Sequence, residues 1–180
     1  MKKYKTIYAD PPWNIGRGPD WNSNGRSNPL PYPTMSIDEI SKLPVKNIAD
    51  QNAHLYLWTV NKYIKESYSI VQEWGFKVSC MLTWCKPKHG IGIGGTFVQT
   101  TEHLLFCRRG NLKAKQRIDT TWFEHKRLSH SEKPELFRIM IEKVSHEPRI
   151  ELFARNWLPM FKCRLGWDAW GNEVESDIQI

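Results

Sequence analysis

The residues with the most chemical content lie near the amino terminus, where Tyr8, Ala9, Asp10, Pro11, Pro12 and Trp13 follow one another. Proline has no N–H, and two in succession fix the backbone, so their carbonyls are acceptors that can point into a site. Asp10 adds a carboxylate acceptor beside them. A carboxylate and a carbonyl held side by side can each take one hydrogen from an exocyclic amine, while Trp13 offers a flat surface on which a base can stack. That combination fits an adenine amino group. Such an amine is a poor nucleophile because its lone pair is delocalised into the ring. Hydrogen bonds that favour a pyramidal nitrogen, and alignment with an activated methyl group, would supply catalysis by position and electrostatics. Asp10 is then an orienting acceptor rather than a strong base. The plainer alternative for the same residues is a helix-breaking turn with a core tryptophan.

Elements that could position this segment are legible around it. Lys5 to Ala9 reads as a strand, ended by Asp10, Pro11 and Pro12 because proline cannot donate to a sheet ladder. Asn14 to Pro33 is dense in Gly, Asn, Ser and Pro and reads as a functional flap, with 14–35 as its full extent. Ser36 with Glu39 forms a capping box, predicting a helix over Ile37 to Leu43. Ala53 to Val60 is an apolar run suited to a strand buried on both faces. Asn61 is expected to cap a helix with Ile64, Tyr68 and Val71 on one face and Gly75 at its close.

Phe76 to Cys85 reads as another strand, Lys86 to Val98 as a second glycine-rich, basic loop, and Glu102 to Cys107 as a further strand. Arg108 to Leu128 is polar and basic with little period, so 86–128 is marked as a basic loop region. Ser131 to Pro134 opens a helix whose stripe is Leu136, Phe137, Met140, Ile141 and Val144. Arg149 to Phe153 is one more strand, and an aromatic cluster spans Trp167 to Trp170. Strands alternating with helices predict an α/β sheet with helices on its faces, and ligands of such sheets collect at the carboxyl ends of strands, where Asp10 and Arg155 would lie.

Composition narrows the classes. The 180 residues suit one domain, 1–180, and 40% hydrophobic with 25% charged residues excludes disordered and collagenous chains. No stretch approaches the roughly 20 apolar residues of a membrane span. Lys2 and Lys3 are followed within a few residues by Asp10, leaving no room for a signal-peptide apolar region, so a cytoplasmic protein is expected. Cys80, Cys85, Cys107 and Cys163 form no CxxC pair, which favours reduced thiols over a metal site. The formal charge of +7 gathers at Lys86 and Lys88, Arg108 and Arg109, Lys113 to Arg117, and Lys126 with Arg127. A polyanionic partner and a plain solvated surface both fit that pattern. Of the nine tryptophans, Trp58, Trp74 and Trp84 are assigned to the core.

YADPPW, LPYPTM (Leu30 to Met35), LYLW (Leu55 to Trp58), WGF (Trp74 to Phe76), TEH (Thr101 to His103), SEKP (Ser131 to Pro134), ELFAR (Glu151 to Arg155) and GWDAWGNE (Gly166 to Glu173) occur in that order. Together they resemble the DPPW-type adenine amino methyltransferases, the family of the messenger RNA adenosine methyltransferase catalytic subunit and its bacterial and phage relatives. The resemblance implies a Rossmann-like class I S-adenosylmethionine-dependent methyltransferase sheet. Its motif order is permuted, with DPPW ahead of the cofactor-binding ELFAR strand. It makes Asp10, Pro11, Pro12 and Trp13 the catalytic segment, with Asp10 also near the methionine end of S-adenosylmethionine. Tyr32 would sit on the flap over the target base, and Lys133 would reach cofactor or substrate from a helix start. Glu151 would accept from ribose hydroxyls, Arg155 would hydrogen-bond the cofactor, and Asn172 and Glu173 would contact its ribose and adenine. Glu102 and His103 are read as bracing a loop and stay outside the catalytic set.

Larger members of that family have a strand ahead of DPPW, whereas residues 1–9 alone precede Asp10 here, so a minimal catalytic domain is expected. Target choice then falls to the flap, the basic region or a second subunit, possible arrangements including a homodimer. The leading expectation is an adenine-specific DNA methyltransferase acting on a flipped base. RNA as substrate, or a non-catalytic nucleic-acid-binding scaffold subunit, are the alternatives.

Overall fold

The computed structural model describes residues 2–15, 33–87, 96–127, 132–155 and 165–180. Seven strands form one sheet: β1 (Tyr4–Ala9), β2 (Ala49–Thr59), β3 (Lys77–Cys85), β4 (Thr101–Arg109), β5 (Trp122–Glu124), β6 (Arg149–Leu152) and β7 (Trp167–Trp170). Their spatial order is β5-β3-β4-β2-β1-β6-β7. β1 pairs in parallel with β2 and β6, β6 with β7, and β3 with β5, while β4 is antiparallel to both β2 and β3. Hence β4 runs against the rest. The carboxyl ends of the other six strands and the amino end of β4 share one edge of the sheet.

This is the expected Rossmann-like α/β arrangement, with the chain starting in the middle of the sheet. From β1 it passes to β2, skips outward to β3, returns to fill the gap with β4, adds β5 at the far edge, then crosses back to add β6 on the other flank of β1. The order therefore reverses between β1 and β6, and the crevice outside their carboxyl ends is the natural binding place of an open α/β sheet.

Alternation along the strands divides the core between two faces. Ile7, Ala9, Leu55, Leu57 and Ile150 point to the layer formed by α1 (Ile37–Lys42), α2 (Val45–Ile48) and α3 (Ile64–Glu73). Tyr8, Tyr56 and Trp58 point the other way, onto Phe137, Met140 and Ile141 of α4 (Glu135–Val144). Ala53 to Thr59 is buried throughout, as its unbroken apolar run requires, and Trp58, Trp74 and Trp84 lie in the core. α1 carries the Ser36–Glu39 capping box. Gly75 closes α3 with φ +82°, a conformation glycine adopts without a Cβ penalty.

Three local readings are corrected. Asn61 does not cap α3: it begins a short 3-10 turn, Asn61–Tyr63, and its side chain faces β4. The buried face of α3 is Ser67, Ile70 and Val71, while Tyr68 is 45% exposed. The basic region is not loop throughout. Beyond β4 it holds β5, whose three residues pair with Thr83 to Cys85 and are too short to show a period. No described helix is long and apolar enough to cross a membrane.

Candidate active site

The shared edge gathers the end of β1 at Asp10, the start of β4 at Glu102, Lys86 after β3, Arg155 after β6, and Asn172 with Glu173 after β7. α4 adds Lys133 from the residues just before its Pro134 cap. Lys133 Nζ donates to Asp10 Oδ2 at 2.7 Å and lies 3.5 Å from Glu102 Oε2. Lys86 Nζ donates to the other Glu102 oxygen, Oε1. Both ammoniums rest over indoles, Lys133 at 5.3 Å from the Trp58 ring centre and Lys86 at 4.6 Å from that of Trp84. Charges of alternating sign thus form a chain: Asp10, Lys133, Glu102, Lys86.

Burial pushes the Asp10 carboxyl above its ordinary range, and the Lys133 ammonium works against that rise. Burial also disfavours the charged form of Lys133, but Asp10 and Glu102 more than offset it and hold the ammonium above the usual lysine range. For Glu102, burial acts upward and is overcome by Lys133 and Lys86, so its carboxyl is held low. Among paired groups at low dielectric these are the expected directions. Sequence reasoning set Glu102 aside, and the structure places it between the two lysines of the site. The signal that could have found it is the TEH block itself, which opens a strand running against its neighbours.

The Asp-Pro-Pro-Trp turn is more enclosed than its sequence suggests. The Pro11 carbonyl accepts from the Trp13 N–H at 2.8 Å and the Pro12 carbonyl from the Met35 N–H at 3.0 Å, so each has one lone pair engaged inside the protein. Trp13 is 5% exposed, donates from Nε1 to the Trp58 carbonyl at 3.1 Å, and stacks on Tyr63 at 5.4 Å with 26° between rings. Its open-platform reading is corrected accordingly: one face belongs to Tyr63. Tyr63, unmarked by any motif, also donates its hydroxyl to the Asn14 carbonyl. Tyr32 and most of the flap, 16–32, lie outside the described residues.

His103 has both ring nitrogens engaged, Nε2 with Asn61 Oδ1 at 2.9 Å and Nδ1 with Thr83 Oγ1 at 3.2 Å. An amide oxygen only accepts, so Nε2 carries the hydrogen and Nδ1 accepts from the threonine hydroxyl. Burial holds this imidazole below its usual range, against the pull of Glu102. It braces the start of β4.

Beyond β6 the backbone turns sharply: Phe153 has φ 61°, in the left-handed region that non-glycine residues seldom occupy. The Ala154 N–H then donates to the Trp170 carbonyl at 3.0 Å, tying the loop after β6 to the loop after β7. Gly171 makes that approach possible, since a Cβ there would stand 2.5 Å from the Ala154 oxygen and 2.8 Å from its nitrogen. Arg155 Nε lies 3.8 Å from Glu173 Oε1, and Glu151 takes a two-pronged contact from Arg138 at 2.8 and 3.0 Å. Glu151, Arg155, Asn172 and Glu173 are therefore brought to the same flank of the β1/β6 crevice, opposite Asp10. Among the described residues no group of three or more His, Cys, Asp or Glu side chains is placed to hold a metal ion.

The sequence pattern of the MT-A70 family matches residues 4–173, which takes in every strand from β1 to β7. Type II methyltransferase M.MunI of a Mycoplasma is 29% identical over 198 residues, covering 99% of this chain and 82% of the relative. A putative N(6)-adenosine-methyltransferase MT-A70-like protein of Medicago truncatula is 28% identical over 181 residues, and human N(6)-adenine-specific methyltransferase METTL4 is 27% identical over 202. These alignments cover 97% and 96% of this chain, but 27% and 38% of the relatives. The chain thus spans most of the Mycoplasma relative and less than two fifths of the plant and human ones. A single match running from β1 to Glu173, over a Rossmann-like sheet of the S-adenosylmethionine methyltransferase type that carries its ordered motifs to one edge, means that the chain belongs to the MT-A70 family.

Proposed function

We propose that this chain is an adenine-specific DNA methyltransferase, moving a methyl group from S-adenosylmethionine to the exocyclic amine of adenine. The observation that carries the reading is the Asp10 carboxylate at the end of β1, held at one oxygen by Lys133 beside the Pro11-Pro12 turn. A scaffold protein needs no such acceptor at a switch point.

The residues fit the cofactor. The β1/β6 crevice is lined by a carboxylate acceptor on each strand, Asp10 and Glu151, and the joined loops after β6 and β7 bring Arg155, Asn172 and Glu173 to the same place. When bound, S-adenosylmethionine supplies an electrophilic methyl group on a positively charged sulfur. Glu151 accepts from its ribose hydroxyls, Arg155 donates to it, Asn172 and Glu173 contact ribose and adenine, and Lys133 offers a cation to a carboxylate or phosphate.

Asp10 has Oδ2 fixed by Lys133, which leaves Oδ1 to accept one hydrogen of the target amine. The Pro11 or Pro12 carbonyl takes the second hydrogen on its unused lone pair. Drawing both hydrogens to one side would favour a pyramidal nitrogen and turn its lone pair towards the methyl group that S-adenosylmethionine would supply, the C–S electron pair remaining on the leaving sulfur as a neutral thioether and one N–H proton passing to water. Tyr63 fixes the plane of Trp13 and so the turn that carries both carbonyls. The family resemblance gives Tyr32, outside the described residues, the role of contacting the target base.

DNA is favoured by the likeness to the Mycoplasma Type II methyltransferase M.MunI, which is 29% identical and aligned over 99% of this chain. RNA is the second reading, supported by similarity to those adenosine methyltransferases over 97% of the chain. Residues 1–180 act as a single methyltransferase domain in the cytoplasm. Target choice lies with 14–35, 86–128 or a second subunit, which includes a second copy of this chain. The test is transfer of labelled methyl groups into unmethylated DNA and into RNA, followed by sequencing of modified adenines. Transfer to DNA supports the reading, transfer to RNA alone moves it to the second, and none to either overturns both.

A further inference from the structure

α4 and its lead-in direct two cations at the sheet. Lys133 serves Asp10 on β1, and Arg138 serves Glu151 on the neighbouring β6. Arg138 donates from Nη1 to Glu151 Oε2 at 2.8 Å and from Nη2 to Oε1 at 3.0 Å. The guanidinium is itself held in place: Nε contacts Glu135 at 3.4 Å, and its centre lies 5.3 Å from the Tyr8 ring and 5.1 Å from that of Trp167. The Trp167 indole is fixed in turn by donation to Glu142 Oε1 at 2.7 Å. Arg138 keeps 8% of its side chain open and Glu151 keeps 18%.

A buried ion pair contributes little to stability relative to apolar residues of the same volume, because both ions must be desolvated. An arginine with aromatic rings beside it and both carboxylate oxygens in its grip is a costly way to join a helix to a strand. It is an effective way to aim a carboxylate. Glu151 lies opposite Tyr8 in the β1/β6 register, two positions before Asp10, on the floor of the crevice.

We propose that Arg138 is a positioning residue: by binding both oxygens of Glu151 it fixes the direction in which that carboxylate faces the cofactor's ribose hydroxyls. The proposal rests on the S-adenosylmethionine reading above. Its second consequence is electrostatic. Among the described residues that act on or flank Glu151 are Arg138 and Glu135 of α4, Tyr8 of β1, Asp10 just after it, and uncharged Ala169 of β7. Burial raises its carboxyl, Asp10 and Glu135 act in the same direction, and Arg138 opposes all three. Without Arg138 the carboxyl rises further, and an acceptor needed for binding is more readily protonated as pH falls.

Calorimetric titration of S-adenosylmethionine, without nucleic acid, between about pH 6 and pH 8.5 tests this. The wild-type chain should lose less affinity at the acid end than Arg138→Met does. Arg138→Met should bind roughly tenfold more weakly at the acid end and recover much of the loss at the alkaline end. Adding Glu151→Gln should remove that recovery. Arg138→Lys keeps the charge but not the fork, and should show a smaller, pH-independent loss. Wild-type affinity in Arg138→Met overturns the proposal, as does a pH-independent loss that Glu151→Gln leaves unchanged. If Arg138→Met does not fold, wild-type affinity in Arg138→Lys overturns it instead. Failure of the wild-type chain itself to bind overturns the cofactor reading, and this proposal with it.

Discussion

Lys133 and Asp10 are 123 positions apart in the chain and meet at 2.7 Å, the ammonium delivered from the start of α4 onto the carboxylate that ends β1. The pair is the electrostatic centre of the site, because the same ammonium reaches Glu102 at 3.5 Å.

Removing that ammonium should move the pH dependence of transfer. Burial already raises the Asp10 carboxyl and Lys133 restrains it, so Lys133→Met lets it rise further. On the proposed mechanism Asp10 acts ionised, as an acceptor, so the acid limb of the pH–rate profile should shift upward. Turnover at pH 7 should fall by about 100-fold, with Lys133→Arg partly restoring it. Steady-state rates across pH check this, and an unmoved acid limb would separate Lys133 from Asp10. Asp10→Asn should lower turnover to a similar extent while the melting temperature stays within a few degrees.

Glu102 should show its worth in stability rather than in rate alone. Its carboxyl is held below the ordinary value of 4.5 in the folded chain, since Lys133 and Lys86 overcome burial. A lowered folded-state value contributes stability that is present above the unfolded value and is lost as pH falls through the folded one. Glu102→Gln should therefore be less stable at pH 7, by on the order of 1–2 kcal/mol, and match the wild-type chain in acid. Denaturant melts at pH 7 and at a pH well below the ordinary 4.5, past the lowered folded-state value, make the comparison; an equal difference at both would remove the ionic explanation.

Gly171→Ala should weaken cofactor binding without touching any polar group of the site. The new methyl would stand 2.5 Å from the Ala154 oxygen, so the loops after β6 and β7 must part. Overpacking of this kind costs about 1–3 kcal/mol, and the separation should displace Arg155 and Asn172 together. Titration of S-adenosylmethionine should show roughly tenfold weaker binding, with full affinity being the outcome that excludes the coupling.

Tyr63 should matter through its ring more than through its hydroxyl. The stack on Trp13 is worth about 0.5–1.5 kcal/mol beyond the area it buries. Tyr63→Phe keeps that stack and loses the bond to the Asn14 carbonyl, so it should retain most of the transfer rate. Tyr63→Ala frees one face of Trp13 and should cut kcat/KM at least tenfold while raising Trp accessibility to a fluorescence quencher.

Much of the fold was legible because its signals are local. The strand ended by Pro11 and Pro12, the capping box at Ser36 and the apolar run from Ala53 depend on neighbours a few residues away. β5 was missed because three residues cannot display a period of two, and its pairing with β3 alone makes it a strand. Asn61 has the composition of a helix cap, but a partner on β4 took its side chain.

The sequence by itself determined the order of the motifs and the edge of the sheet at which they gather, since residue type, proline geometry and strand periodicity are written along the chain. It left Glu102, Tyr63 and Arg138 unmarked as site residues. Only the tertiary structure decided the pairings. Lys133 serves Asp10, Glu102 stands between two lysines, Arg138 takes Glu151, and Trp13 rests on Tyr63. The physical reason is that a side chain's partner depends on strand register and on the face it points to. Both are set by packing between elements more than a hundred residues apart for Asp10 and Lys133.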